Sequence, residues 1–375
     1  MSNPINLIKI LNKLITKKFS RNHANYIFFV TSKCNQNCEF CFYRNSINKK
    51  NDLSLSEVQM LSSKTGSITN LLISGGEPTL RKDLLEIIDI FVTKNNLKSL
   101  TIPSNGMLGN EFSNLAREII TKYPNLYLQV CISLDGPEWF HDKIRGINGA
   151  YKKSIESIKK LEDLARRYEK LSLNINTVIT HENLSIIPEI IFLLQGLGIK
   201  FYTHSFEIMR PESITDKIIF NDAIRLKKAY NTILNYKDIL FLNKIKGSFF
   251  KKITMAALHY ANIYSLYKIQ FDTVTKGKKW PMQCYAGYDN NVIYSNGDLS
   301  ICELRKPVIN IKDIPDNKKI CDILDREKVK IKTCFCTHIC YILLSMYRSK
   351  KILFLFMPLR ALRYFLVKTK LLGYF

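Results

Sequence analysis

Between Tyr26 and Phe206 short β-rich runs alternate with longer helical patterns, and this alternation restricts the fold more than any other feature of the chain. The runs are Tyr26 to Val30, Asn70 to Ser74, Ser99 to Ile102, Leu126 to Leu134, Leu171 to Ile179 and Ile199 to Phe206. Helical periodicity fills the gaps near Ser56 to Ser63, Asp83 to Asn95, Phe112 to Lys122, Tyr151 to Glu169 and Leu184 to Gly196. Such repeats demand parallel strands, because a crossover must carry the chain back to the same end of the sheet and a helix supplies it. The units are too few for a full eight-stranded barrel but suit a partial (β/α)6 barrel of TIM type, in the α/β class. Its reactive end lies at the C-terminal tips of the strands.

The remaining segments are organised around this unit. Residues 1–23 place Ile5, Ile8, Leu11, Ile15 and Phe19 on one helical face and lysines opposite, the pattern of a basic amphipathic helix. The barrel is expected over 24–206, and 207–279 reads as mostly helical. A small α+β, cysteine-rich domain is placed at 280–341, where the Asn296-Gly297 pair signals a hairpin because both residues tolerate positive φ. Residues 342–375 form a basic, apolar tail.

Charge is unevenly distributed. Residues 1–38 contain six Lys or Arg and 328–375 contain ten, with no acid in either, so the ends carry two-thirds of the +24 net charge. That placement argues against a nucleic-acid groove, and hence against RNA modification, and for termini that meet an anionic surface. A peripheral membrane contact through the tail is one expectation; packing of its apolar face on the barrel, with solvated lysines outside, is the alternative. No clean signal peptide or spanning helix can be drawn, so a cytoplasmic protein is expected, where ten cysteines stay thiols and clustered ones serve metals.

The sharpest cluster is CNQNCEFC, which sets Cys34, Cys38 and Cys41 just after the first strand. Three thiolates on one loop can wrap one face of an iron–sulfur cubane and leave its fourth iron open to a ligand. Structural zinc and unligated core cysteines are the competing readings, and no fourth Cys or His follows at the usual zinc spacing. Glycines at 75 and 76 allow close backbone approach to a ligand, and Glu77 can accept hydrogen bonds from a cationic amine.

Here the chain resembles the radical S-adenosylmethionine (radical SAM) superfamily, with its C-x3-C-x2-C signature and Phe40 before the last cysteine. Further matches stand at successive strand ends: Gly75-Gly76-Glu77-Pro78, Ser104-Asn105-Gly106 and Ser133-Leu134-Asp135-Gly136, followed by His141-Asp142 and Arg145-Gly146. The resemblance implies a 4Fe–4S cluster on the three cysteines and SAM on its open iron. It places Glu77 at the SAM amino group, Ser133 and Asp135 near its ribose and methionine portions, and Arg145 at its carboxylate. A reduced cluster would split the sulfonium to a 5′-deoxyadenosyl radical that abstracts hydrogen from substrate. A reductant such as ferredoxin or flavodoxin is the implied partner.

Cys284, Gly297 and Cys302 are similar to the opening of the SPASM and twitch domains that follow many radical SAM barrels. Five cysteines suit one auxiliary 4Fe–4S cluster, held by Cys284, Cys302, Cys336 and Cys340, with Cys334 the alternate and His338 an outside candidate. A zinc ribbon is the competing reading, while Cys131 and Cys321 read as ordinary core thiols. Tyr202, His204, Glu207 and Arg210, on or past the sixth strand, are the substrate-side candidates, although strand alternation forbids all four from pointing inward. A small-molecule, sugar or lipid-linked substrate is preferred. Peptide maturation and a non-enzymatic metal-binding scaffold are the alternatives.

Overall fold

A computed structural model describes residues 25–49, 51–200, 202–211, 219–245, 247–288, 290–328 and 334–371. The expected helix at 1–23 lies outside the described residues. Six strands, β1 (Asn25–Thr31), β2 (Asn70–Gly75), β3 (Ser99–Ser104), β4 (Tyr127–Ser133), β5 (Leu171–Ile179) and β6 (Tyr202–Ile208), pair in sequence order, and every pairing is parallel. The crossovers are α1 (Leu55–Thr65), α2 (Leu84–Asn95), α3 (Gly109–Lys122), a short α4 (Glu138–Arg145) with α5 (Ala150–Arg167), and α6 (Ile187–Gly196). The fold is the α/β partial barrel that the alternation requires. Helix α4 is an addition, since its few residues carry the His-Asp and Arg-Gly motifs and too little apolar pattern to stand out.

Local chemistry explains the helix ends. Ser54 caps α1 by accepting from the Glu57 amide while the Glu57 carboxylate accepts from the Ser54 amide, a reciprocal capping box. Asn96 ends α2 in the left-handed region at φ 53°. Alternate strand residues such as Leu71, Ile73, Leu100, Ile102, Leu128 and Val130 are fully buried beneath these helices and form the core's outer layer.

Downstream, α7 (Ala223–Leu242) and α8 (Phe249–Lys276) pack together. The chain then returns to the sheet: β7 (Asn290–Ile293) pairs in parallel with the free edge of β1, and β8 (Asp298–Ser300) and β9 (Ile309–Asn310) follow antiparallel. The result is one nine-stranded sheet in the order β6-β5-β4-β3-β2-β1-β7-β8-β9. The hairpin turn differs from the expectation, because among the described residues only Gly297, at φ 89°, has positive φ there; Asn296 does not. The Gly297 amide closes a turn on the Tyr294 carbonyl, and a Cβ at 297 would sit 2.7 Å from Ile311 Cγ2. Helices α9 (Ile320–Lys328), α10 (Ile339–Arg348) and α11 (Met357–Leu371) complete the described chain, with a π-helical turn, Ile352–Phe356, before the last.

Candidate functional site

The cysteine loop leaves β1 at the C-terminal end of the barrel and is fastened from three sides. Asn48, itself at φ 58°, accepts from the Cys34 amide at 3.0 Å and donates to the Cys34 carbonyl at 3.2 Å. The amides of Asn37 and Glu39 donate to the Arg145 and Ile144 carbonyls at the end of α4. Asn105 Nδ2 donates to Asn35 Oδ1 at 2.7 Å. The three thiols stay partly exposed, and burial pushes Cys34 up to about 11 and raises Cys41. Gln36 Nε2 is buried beside them without a hydrogen-bond partner. Three soft donors on one tethered loop and an orphaned donor next to them fit a cluster with an open face. As placed, no three His, Cys, Asp or Glu among the described residues gather closely enough to hold a single ion.

Gly75 and Gly76 lie close against the cysteine loop. A Cβ at Gly75, whose φ is +126°, would lie 2.3 Å from the Thr31 carbonyl oxygen, and one at Gly76 would lie 2.1 Å from that of Lys33. The amides of Gly76 and Glu77 donate to those same carbonyls at 2.8 Å. The glycines therefore bring β2 against the base of the cysteine loop and set its height. Pro78 opens the 3-10 turn that follows.

Glu77 is buried, which raises its pKa, and its oxygens accept from the Thr79 amide and hydroxyl and from the Asn105 amide at 2.7 Å. It ties the turn after β2 to the turn after β3. Ser104 is buried and accepts from the Gly106 amide at 3.1 Å.

Asp135 is also buried: one oxygen accepts from Arg145 at 2.6 and 2.7 Å and the other from the Val178 amide at 2.8 Å. Its carboxylate thereby links Arg145 to the backbone of β5. The guanidinium of Arg145 in turn reaches Cys38 Sγ at 3.7 Å and lies 5.2 Å from the Phe40 ring centre. His141 Nδ1 accepts from the Asp135 amide, and burial lowers the ring to about 4, so it is a neutral structural bracket. Ser133, at the tip of β4, faces inward opposite Asn176.

The substrate-side candidates separate. Tyr202 donates to or accepts from the Tyr236 hydroxyl of α7 at 2.8 Å, and His204 contacts Thr177 Oγ1 at 2.8 Å and Tyr236 at 3.3 Å. Both side chains face the helix layer and are corrected as lumen residues. Their alternates Thr203, Ser205 and Glu207 face inward, in register with Asn174, Asn176 and Val178. Thr203 and Ser205 hydroxyls both donate to Asn174 Oδ1, at 2.7 and 3.2 Å. Arg210 lies past the strand, 3.8 Å above the Phe42 ring and 2.8 Å from Glu303. These inward polar residues of β5 were missed, though their signal is visible: polar side chains at every second place in a strand that helices cover.

In the second cysteine group, Cys284, Cys302, Cys334 and Cys336 are all buried. Cys284 and Cys336 thiols hydrogen-bond to Cys334 and hold it well below the usual thiol range, while burial pushes Cys302 up to about 12. Cys340 is partly exposed in the first turn of α10. Cys334 lies with Cys284 and Cys336, because the Trp280 backbone amide and indole, donating to the Cys334 and Cys336 carbonyls, fix that segment. His338 is engaged at both ring nitrogens, by Glu303 and by the Cys340 amide. Burial opposes charge on Glu303, but Arg210 and His338 hold it down at about 2. Cys131 is buried in β4 and Cys321 is partly exposed on α9.

Known proteins resemble this chain in sequence and in fold. Fe-coproporphyrin III synthase of Methanosarcina barkeri is 27% identical over 182 residues, 48% of this chain and 43% of that protein. A probable GTP 3',8-cyclase of Sulfurisphaera tokodaii is 27% identical over 301 residues, 79% of this chain and 87% of its own. Streptococcus suis SuiB, solved bound to S-adenosylmethionine, shares the fold with a TM-score of 0.53 at 18% identity, over 86% of this chain and 70% of that one. The family model of the radical SAM superfamily matches residues 28–194, the segment that carries the cysteine loop and all the strand-tip motifs, so this part of the chain is a radical SAM domain.

Proposed function

We propose that the chain reductively cleaves S-adenosylmethionine and uses the radical to remove hydrogen from a neutral, hydroxyl- or amide-bearing substrate such as a sugar or lipid-linked saccharide. The observation that carries this reading is the cysteine loop, tethered at the strand tips by Asn48, Asn105 and the end of α4. When bound, a 4Fe–4S cluster and SAM supply the electron and the radical. The protein's own residues position and shield. Glu77 fixes the two flanking turns, and Arg145 holds its guanidinium 3.7 Å from Cys38 Sγ. The cysteines of the second group, Cys284, Cys302, Cys334 and Cys336, are assigned to one auxiliary cluster.

The inward barrel face supports the substrate class. On the β1–β2 side it presents Ile27, Phe29 and Leu72; across β4 to β6 it presents Gln129, Cys131, Ser133, Asn174, Asn176, Thr203 and Ser205, with Glu207 at the tip. None of the six strands contains Lys or Arg. A triphosphate such as that of GTP calls for basic donors, which this face does not offer, whereas hydroxyl and amide groups find matched partners. Anaerobic reconstitution with iron and sulfide, then dithionite and SAM, should release 5′-deoxyadenosine, and Cys34→Ala should abolish it. A wild-type chain that holds its iron yet yields none refutes the reading.

A further inference from the structure

The end of the chain carries an apolar ridge that no described segment covers. Helix α11 turns Met357, Ala361 and Tyr364 inward: Tyr364 donates to both oxygens of Asp238 on α7 at 2.7 Å and lies 4.8 Å from the Tyr260 ring of α8. The opposite side holds Leu359 and Leu362, which are 57% and 56% exposed, preceded in the π-helical turn by Phe354 and Leu355 at 63% and 50%. Their spacing puts them on one line. Large leucines and a phenylalanine in a row are not what a solvated helix face displays.

Charge selects the occupant. Lys350, Lys351 and Arg363 lie beside the ridge, Arg360 stacks on the Tyr264 ring at 4.6 Å, and no Asp or Glu occurs from 328 to the end of the chain. A second copy docking ridge to ridge would bring like charges together. The N-terminal segment 1–24, with five Lys or Arg and no acid, would be repelled in the same way. No helix among the described residues is long and apolar enough to cross a bilayer.

We propose that the Phe354–Leu362 ridge and its flanking basic residues seat the protein on an anionic lipid surface, the leucines entering the headgroup layer and the cations meeting lipid phosphates and carboxylates. The proposal is independent of the chemistry at the barrel. It is tested with the full chain by flotation against phosphatidylcholine vesicles with and without about one-third phosphatidylserine, at low and high salt. Binding should need phosphatidylserine and weaken with salt. The double substitution Leu359→Glu/Leu362→Glu should abolish it, and Lys350→Gln with Arg363→Gln should weaken it roughly five-fold per charge removed. Both variants replace exposed residues, so unchanged thermal melting shows that they fold. Equal binding to neutral vesicles, no binding at low salt, or self-association through the ridge in sedimentation would each overturn the proposal.

Discussion

Gly76 shows how a single position sets the height of the cysteine loop. With the Lys33 carbonyl oxygen 2.1 Å from where a Cβ would stand, Gly76→Ala must lift the cysteine loop off β2. Iron per chain after reconstitution should fall sharply, and with it 5′-deoxyadenosine. Gly196→Ala, where no atom lies within 4 Å, should hold full iron and change stability by no more than about 1 kcal/mol. The motif was legible in the sequence as Gly-Gly-Glu-Pro. The neighbour that makes it necessary was not, because Lys33 is more than forty residues away in the chain and meets it only across the sheet. Asp135 illustrates the same limit: the sequence marked it, but only tertiary packing gives its carboxylate to Arg145.

Among the elements, β6 is the most informative. Its inward and outward rows predict a split: Glu207→Gln should impair substrate-dependent turnover while leaving uncoupled SAM cleavage near wild type. His204→Ala, whose ring packs under α7, should lower the melting temperature instead. Equal effects of both on turnover at unchanged stability would contradict the assignment. Helix α4 supplies a pH-dependent prediction. Burial holds His141 neutral down to about 4 against an ordinary 6.5, so the unfolded chain takes up its proton first as pH falls. Stability from this residue is fully present above pH 6.5 and is lost towards pH 4, by on the order of 3 kcal/mol. Denaturant melts of His141→Gln should be flatter across that window than those of wild type.

Across the whole molecule, β7 and the second cysteine group show what closes the structure. Parallel pairing of β7 with β1 joins the cysteine-rich segment to the barrel, and Arg210, Glu303 and Phe42 bridge the two on the side of the first cysteine loop. Two cubanes would give about eight irons per chain. Cys334→Ala should lose about half of them, whereas Cys340→Ala should keep nearly all; iron and sulfide analysis distinguishes these, and the reverse pattern would restore Cys340 as the ligand. The sequence by itself determined the parallel α/β sheet, the three-thiol loop and the strand-tip motifs, because periodicity and short spacings are local properties that survive any packing. Tertiary structure alone decided which face of β6 looks inward, that β7 adds to the sheet through β1, and that Cys334 joins Cys284. Each of these depends on residues far apart in the chain being brought to contact distance, and no local pattern encodes that.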